Sequence, residues 1–593
     1  MESAPKVSKR RRVISLVIAG VVLIIAAAVG WVGIRGLIAK QELQAMTPLV
    51  GVIESSVASG DLTAARSAAN ELGAHAHLAA SLTGDPVWRA AEILPVVGPN
   101  LTAGRQLAAA AQEVSDRIVS PLITVSRSVD IERFKPVRGA VGLAPLVAAA
   151  PTVTRVQNAY DDVRRSVAAI RTSGTLGVVS SAVGKVKDAV DGVGPTITAL
   201  ANSMRIAPGM LGADGPRNIL LLAQNPAELR ATGGLVGSLV LIRADNGKVS
   251  LVAQASTSDF PPFEQPVMPL PTATEGLYGS VVGRYVQDVG VTPHFPMTAQ
   301  LAAKMWTTKF GGRIDAVIAI DPVTIGYLLA ATGPVTIADG RRLEAGNVVP
   351  LLLSDVYRYY SGPGAQDAVF ASAASAVFSK VVSGAADATA LVRALARAGT
   401  ERRLLMWSSH PAEQSVLAST TLAGDLPDST ARVAGIGVYF NDATGGKMDY
   451  YLKSTVSVAS GICRADGTPS SRVTISLTNT APADAGQTLP HYVTGNGVFG
   501  VLAGMIRTRV VVYGPEGGLL VATTGGGAVG NPDRAGTDGG RPVSIATVDL
   551  RPGVTKTVVV DLLNAKQKAA DARLTVTPTL GGTVASNVAL ACQ

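Results

Sequence analysis

Residues 218–259 read NILLLAQNPAELRATGGLVGSLVLIRADNGKVSLVAQASTSD, and their pattern decides what kind of domain lies at the centre of this chain. NILLLAQ (218–224) is a short apolar run suited to a buried strand. GSLVLIR and KVSLVAQA follow, separated by Asp245-Asn246-Gly247, which predicts a two-strand hairpin closed by an Asn-Gly turn. Between the first strand and the hairpin stand Asn225, Glu228 and Arg230, then Thr232-Gly233-Gly234. Two readings of this link stay open. Polar residues at strand ends beside glycines build ligand sites, where the backbone approaches a phosphate and Arg230 grips it bidentately. Alternatively the link is a tight turn that needs glycine, with Arg230 paired to Glu228 or Asp259.

Working outward, MTAQLAAKMWTTKF reads as a helix, IDAVIAID as another buried strand, and VTIGYLLAATG as a helix closed by Gly333. Helices are also expected around 344–360 and 366–383. Strands alternating with helices predict an α/β domain over 208–447. From 448 to 593 the chain turns β-rich. YYLKSTVSVASGI, SRVTISLTNT, MIRTRVVVYG, GLLVATT, VSIATVDL, TKTVVVDLL and RLTVTPT alternate in hydropathy, which predicts an immunoglobulin-like β-sandwich, with Gly-rich 523–540 as a surface loop. Upstream, residues 36–207 are Ala- and Leu-rich with apolar spacing near 3.6, and Asp61 suits a helix N-cap. This predicts an extracytoplasmic helical bundle.

Val13 to Ile34 reads VISLVIAGVVLIIAAAVGWVGI, 22 residues without a charge, enough to cross the roughly 30 Å hydrocarbon core of a bilayer. Residues 1–12 form a basic tail holding Lys6, Lys9, Arg10, Arg11 and Arg12, so the positive-inside bias puts Met1 in the cytoplasm and residue 36 onward outside. Ala26 and Ala28 would suit a signal peptidase. However, the run is longer than the ~7–15 residues of a signal peptide's apolar region, so residues 13–35 read as an uncleaved single-pass transmembrane helix.

The chain has 593 residues, 47% hydrophobic and 16% charged, which excludes a disordered protein. Its net charge of +9 falls to +5 outside the basic tail, too dilute for a nucleic-acid footprint. Two cysteines, Cys463 and Cys592, fall near the start and end of the β-rich domain. In an oxidising compartment they suggest a disulfide, two buried thiols being the alternative. Two lone cysteines and five scattered histidines form no metal-ligand pattern. GNGVFG (495–500) has dinucleotide-loop spacing but sits among strands without a following helix or acid.

From roughly 85 to 455 the sequence resembles the bacterial family of domain of unknown function 4012, through DPVWRAAEILPVVGPNL, NPAELRATGG, IDAVIAIDPVTIGYLLAATGPV and KMDYYLKS. More distantly, NILLLAQN…RATGG…KVSLVAQAS, IDAVIAIDPVTIGYLLAATGPVTI, LEAGNVVPLLLSDVYR and QDAVFASAASAVFSKV resemble the LytR-CpsA-Psr phosphotransferase domain. Those enzymes move a glycan from a polyprenyl pyrophosphate carrier onto the cell wall. The resemblance implies that Arg230 and Arg358 bind phosphate. It departs where the family carries acids expected to hold Mg²⁺, with Asn225 after the first strand and Arg230-Ala-Thr-Gly entering the second, and Thr257-Ser258-Asp259 after the third lacks the family's arginine. A hard cation wants carboxylates, and phosphoryl transfer needs charge neutralisation in its transition state.

The reading that follows is a multidomain envelope protein bound to the cytoplasmic membrane, a binding or accessory factor for polyprenyl-linked or phosphorylated glycans or a cell-wall polymer. Its candidate ligand-binding residues are Asn225, Glu228, Arg230, Thr232, Gly233, Asp259 and Arg358, with no cofactor. One alternative is a glycan phosphotransferase recruiting Mg²⁺ through Glu228 and Asp259. The other is a purely structural envelope protein.

Overall fold

The computed structural model describes residues 9–59, 61–128, 140–384, 386–430, 433–462, 464–525, 532–565 and 571–589. They divide into two compact units, one of Met1–Asp130 with Ala144–Ala207, the other of Ile131–Leu143 with Pro208–Gln593.

The first unit is helical. Helix α1 (Lys9–Ser59) opens it, and its N-terminal stretch is long and apolar enough to cross a membrane. Val13, Leu16, Leu23 and Ile24 are exposed along that stretch, whereas Ala39 and Ser56 further on are buried. The apolar segment and the first bundle helix are therefore one continuous helix. After it come α2 (Leu62–Thr83), α3 (Pro86–Ala91), α4 (Gly98–Val114), a π-helical turn and α5 (Ser120–Ser128), α6 (Ala144–Ala168) and α7 (Gly177–Met210). Asp61 caps α2 as expected, accepting from the N–H groups of Thr63 and Ala64. Val156, Tyr160, Val163 and Val167 recur at helical spacing along α6 and pack with Ala110, Ile118, Val190 and Ile197.

The second unit begins with strand β1 (Arg217–Asn225), the apolar run of the opening stretch. Strands β2 (Leu235–Asp245) and β3 (Lys248–Ser256) form the expected hairpin. Its turn residues Asn246 and Gly247 have φ of 46° and 81°, the left-handed values that an Asn-Gly turn supplies. Helices α8 (Thr272–Tyr278) and α9 (Phe295–Phe310) lead to β4 (Ala316–Ile320) and α10 (Pro322–Thr332). A two-stranded pair, β5 (Val335–Thr336) and β6 (Arg342–Leu343), precedes α11 (Val348–Pro350), a π-helical turn, α12 (Val356–Tyr359), α13 (Pro363–Val382) and α14 (Ala388–Thr400). Strand β7 (Leu404–Ser408) completes a five-stranded mixed sheet of order β3-β2-β1-β4-β7, in which only β1 and β4 run parallel.

Two further five-stranded sheets complete this unit. One has the order β13-β14-β11-β8-β16, from Arg534–Asp538, Arg541–Leu550, Ile506–Tyr513, Val433–Asp442 and Asp571–Val576. The other has the order β12-β15-β10-β9-β17, from Leu519–Gly525, Thr555–Leu563, Pro469–Asn479, Leu452–Ile462 and Thr583–Ala589. Ile436, Val438, Phe440, Val510 and Val512 of the first share a core with Val458, Ile475 and Val560 of the second. Tyr439, Val511, Tyr513 and Ile545 point the other way, into a core with Leu220, Phe295 and Val317 of the α/β part. The first sheet is thus covered on both faces.

Three features depart from the sequence expectations. Strand β8 lies before residue 448, yet it pairs with β11 and β16, so the sheet pairing does not break at that position. Strand β13 lies inside the stretch expected to be a loop at 523–540, where it pairs with β14. Strand β16 is the expected RLTVTPT run, but it runs parallel to β8, and β17, which runs parallel to β9, lies in residues that the sequence pattern left unassigned. Cys463 and Cys592 lie outside the described residues.

Candidate functional site

The link from β1 to β2 is buried and charged. Arg230, only 7% exposed, donates from Nε and Nη2 to Asp288 Oδ1 at 3.0 and 2.8 Å, from Nη2 to Glu228 Oε1 at 3.3 Å, and from Nη1 to the Leu229 carbonyl at 2.9 Å. Lys447 Nζ donates to Glu228 Oε2 at 3.0 Å and lies over the rings of Tyr357 and Tyr492. Of the two readings of this link, Arg230 takes the internal pairing, with Glu228 and with Asp288 rather than Asp259. Its guanidinium is engaged by protein groups, and it presents no free fork to a phosphate.

The backbone of the link is fixed as tightly. Leu229 N–H donates to Asp449 Oδ2 at 2.8 Å, and Ala231 N–H to Asn441 Oδ1 at 2.9 Å. The Leu229 carbonyl accepts from Asp442 N–H, and the Ala231 carbonyl accepts from Thr577 Oγ1. Thr232 is buried, its Oγ1 accepting from Gln224 Nε2. Gly233 has φ of 136°, and a Cβ there would lie 2.7 Å from Gln224 Oε1, while one on Gly234 would lie 2.4 Å from the Asn225 carbonyl carbon. These glycines serve close backbone packing.

Charges in this cluster hold one another in place. Burial alone would raise the Glu228 carboxyl, but Lys447 and Arg230 outweigh it and hold it below its usual range. Burial, then repulsion from Glu228, pushes Asp442 up to about 6. Burial, then Asp442, raises Asp449 well above its ordinary value, and its Oδ1 is buried without a hydrogen-bond partner. Lys447 is raised despite burial because Glu228 faces it.

Asn225 sits at the rim of this cluster. Its Nδ2 donates to Tyr357 Oη at 2.7 Å and its Oδ1 accepts from Ala227 N–H. Arg358 is exposed, donates to Tyr451 Oη at 3.4 Å, and borders a shallow depression with Lys447, Tyr450 and Leu489. The structure therefore brings Arg358 beside Lys447, while Arg230 does not line that depression. Glu228 and Asp259 share no partner. Among the described residues, no three His, Cys, Asp or Glu side chains gather as a metal site would require.

Asp259 opens onto a different feature. At the end of β3 its Oδ2 accepts from Ser256 N–H, closing a capping box. It lines an open cleft of about 330 Å³ between β2, β3 and α13, with Ser238, Gln254, Ser256, Ser258, Asp367 and Phe370. Gln254 Nε2 donates to the Ala371 carbonyl, and Ser258 Oγ lies 3.5 Å from Asp367 Oδ2. No Lys, Arg or His is among the lining residues. Phe370 packs on Tyr357 with ring centroids 6.2 Å apart, which joins the cleft wall to the Lys447 cluster. Sequence reasoning missed Lys447, Asp288 and Asp367. A lysine between two strands gives no sign of burial, since lysines are seldom buried.

The fold and this pair of features define a multidomain protein with one long apolar N-terminal helix, a helical unit and an α/β–β unit. Residues 214–357 match the family described as protein of unknown function (DUF4012), the family its motifs resemble. DPVWRAAEILPVVGPNL and KMDYYLKS lie outside that match. Among curated proteins nothing matches. A solved structure, protein gbs0355 from Streptococcus agalactiae, matches at 13% identity and a TM-score of 0.25, over 36% of this chain and 77% of that one. At that TM-score the likeness carries no argument.

Proposed function

We propose that this protein is a membrane-anchored, extracytoplasmic accessory factor of the cell envelope. It binds the sugar portion of a glycan in the cleft beside Asp259. The observation that carries this reading is the cleft's chemistry. Serine hydroxyls, an amide and two carboxylates accept and donate to polyol hydroxyls, and Phe370 adds apolar lining. Two carboxylates without a facing base repel a pyrophosphate, so a carrier phosphate would lie outside the cleft, where exposed Arg358 is available. The LytR-CpsA-Psr resemblance supports an envelope-polysaccharide setting, and the basic N-terminal tail supports an inward N-terminus. An immunoglobulin-like description of the C-terminal sheets belongs to the same reading.

The test is calorimetric binding of neutral and phosphorylated envelope oligosaccharides to the full chain in nanodiscs. Wild type is expected to bind neutral glycan. Asp259→Ala and Asp367→Ala should each weaken it at least about tenfold, the loss of one or two charge-assisted hydrogen bonds. Arg358→Ala should affect only phosphorylated ligands. If both carboxylate variants bind like wild type, or no glycan binds at all, the reading is wrong.

A further inference from the structure

The helical unit carries an unpartnered apolar surface at one end, and its position relative to α1 says what covers it. In the turn between α3 and α4, Ile93 is 84% exposed and Val96 79%, with Leu94 and Val97 also exposed. Leu176, just before α7, is 68% exposed, and Val178 in its first turn 70%. The Leu176 N–H donates to Asn100 Oδ1 at 2.7 Å, which ties the start of α7 to the start of α4 beside the α3–α4 turn. Exposed apolar side chains in one patch mark an interaction surface.

That patch is fixed at the level where the apolar part of α1 ends. Trp31 Nε1 donates to Asp85 Oδ1 at 3.2 Å, and Arg35 lies 3.7 Å from Asp85 Oδ2. Arg35 also donates to the Leu82 carbonyl and lies over the Trp31 ring. Trp88 packs against Gly36 and donates to the Leu101 carbonyl at 3.0 Å. A tryptophan and an arginine closing an apolar run of this length mark the membrane–water boundary. The turn itself is tight, since a Cβ on Gly98 would lie 2.0 Å from the Glu92 carbonyl oxygen. Nearby acids are engaged, Glu92 by Arg105 and Asp85 by Arg35, whereas Arg89 and Arg171 are exposed.

We propose that this end of the helical unit is seated on the lipid surface. Ile93, Leu94, Val96, Val97, Leu176 and Val178 enter the boundary between headgroups and acyl chains, and Arg89 and Arg171 face anionic headgroups. The inference rests on residues 13–34 being a membrane span. It makes the span and the helical unit one docked body and removes the freedom of a tethered domain.

The test places an environment-sensitive fluorophore on single added cysteines in the full chain, reconstituted in vesicles containing brominated lipids. Background is taken from the chain without an added cysteine. Leu23→Cys reports the span, Val96→Cys and Leu176→Cys report the patch, and Leu62→Cys at the opposite end of α2 is the control. Positions 96 and 176 are expected to be quenched to at least half the extent of position 23, with position 62 unquenched. Ile93→Asp should reduce quenching at 176 and leave that at 23 intact. Quenching at 23 with none at 96 or 176 would overturn the docked surface and leave the anchor standing. No quenching at 23 would remove the anchor and this inference with it.

Discussion

At the scale of single residues, Arg230 divides a binding role from a structural one. Its donors are engaged by Asp288, Glu228 and the Leu229 carbonyl. Arg230→Ala would strand Asp288 and leave Glu228 with Lys447 alone, and breaking a buried ion pair from one side costs about 3–5 kcal/mol. The expected outcome is a lower thermal midpoint, partly restored by Arg230→Lys, with glycan affinity unchanged in whatever fraction stays folded. Asp442 gives a pH prediction. Its folded pKa is raised, so the stability it contributes is full below its unfolded value of 3.8 and is lost as pH rises through about 6. Glu228 acts oppositely. Its pKa is lowered, so its contribution is present above its unfolded value and fades as pH falls through the folded one. Above Glu228's unfolded value of 4.5 its contribution is complete, so from there to about pH 6 stability should fall as Asp442 loses its proton, at up to about 1.4 kcal/mol per pH unit for one proton. Thermal midpoints from pH 4.5 to 7.5 would show this, and Asp442→Asn should flatten the fall.

At the scale of elements, α10 shows how local signals and a distant partner combine. Pro322 opens the helix and Gly333, at φ 81°, closes it. Asp321 caps it by accepting from Thr324 N–H at 2.8 Å, while its other oxygen accepts from Arg403 Nη1 at 2.6 Å. Asp321→Ala loses both the cap, worth about 1 kcal/mol, and the buried partner of Arg403. Asp321→Asn keeps an acceptor for the cap. Both variants lose the ion pair with Arg403, and in urea unfolding the alanine variant should lose about 1 kcal/mol more than the asparagine one. The elements also show where sequence signals stop. NILLLAQ, the Asn-Gly hairpin and the capped helices were legible because each carries its own periodicity or turn chemistry. RAGTD of β13 has no alternating apolar face and becomes a strand because β14 offers it an edge.

For the whole molecule, the α/β part and the β-sheets share cores. Leu229, Val348 and Tyr357 cluster with Phe440, Val456 and Val510, and Leu220 and Phe295 cluster with Tyr439 and Tyr513. A chain ending at residue 447 would keep β8 but lose β11, its neighbour, and would expose both clusters. It should be insoluble or lack dispersed NMR signals, whereas a chain keeping 208–593 should fold. Soluble expression and NMR dispersion of the two fragments test this directly. The apolar segment is likewise no detached anchor, for it continues without a break into the first bundle helix.

The sequence by itself determined the elements whose cause is local. These are the apolar helix, the Ala-rich helical unit, the β1 to β3 pattern, the capped helices and most strands after 448. It also placed Asp259 at a strand end and left Arg230 with two roles. Only the tertiary structure decided between those roles, because Asp288 and Lys447, far from Arg230 in the chain, supply the charges that engage the cluster. The polar cleft is equally a product of packing. Asp259 and Asp367 share it only because α13 lies against β3, and no pattern along one segment encodes a contact between two.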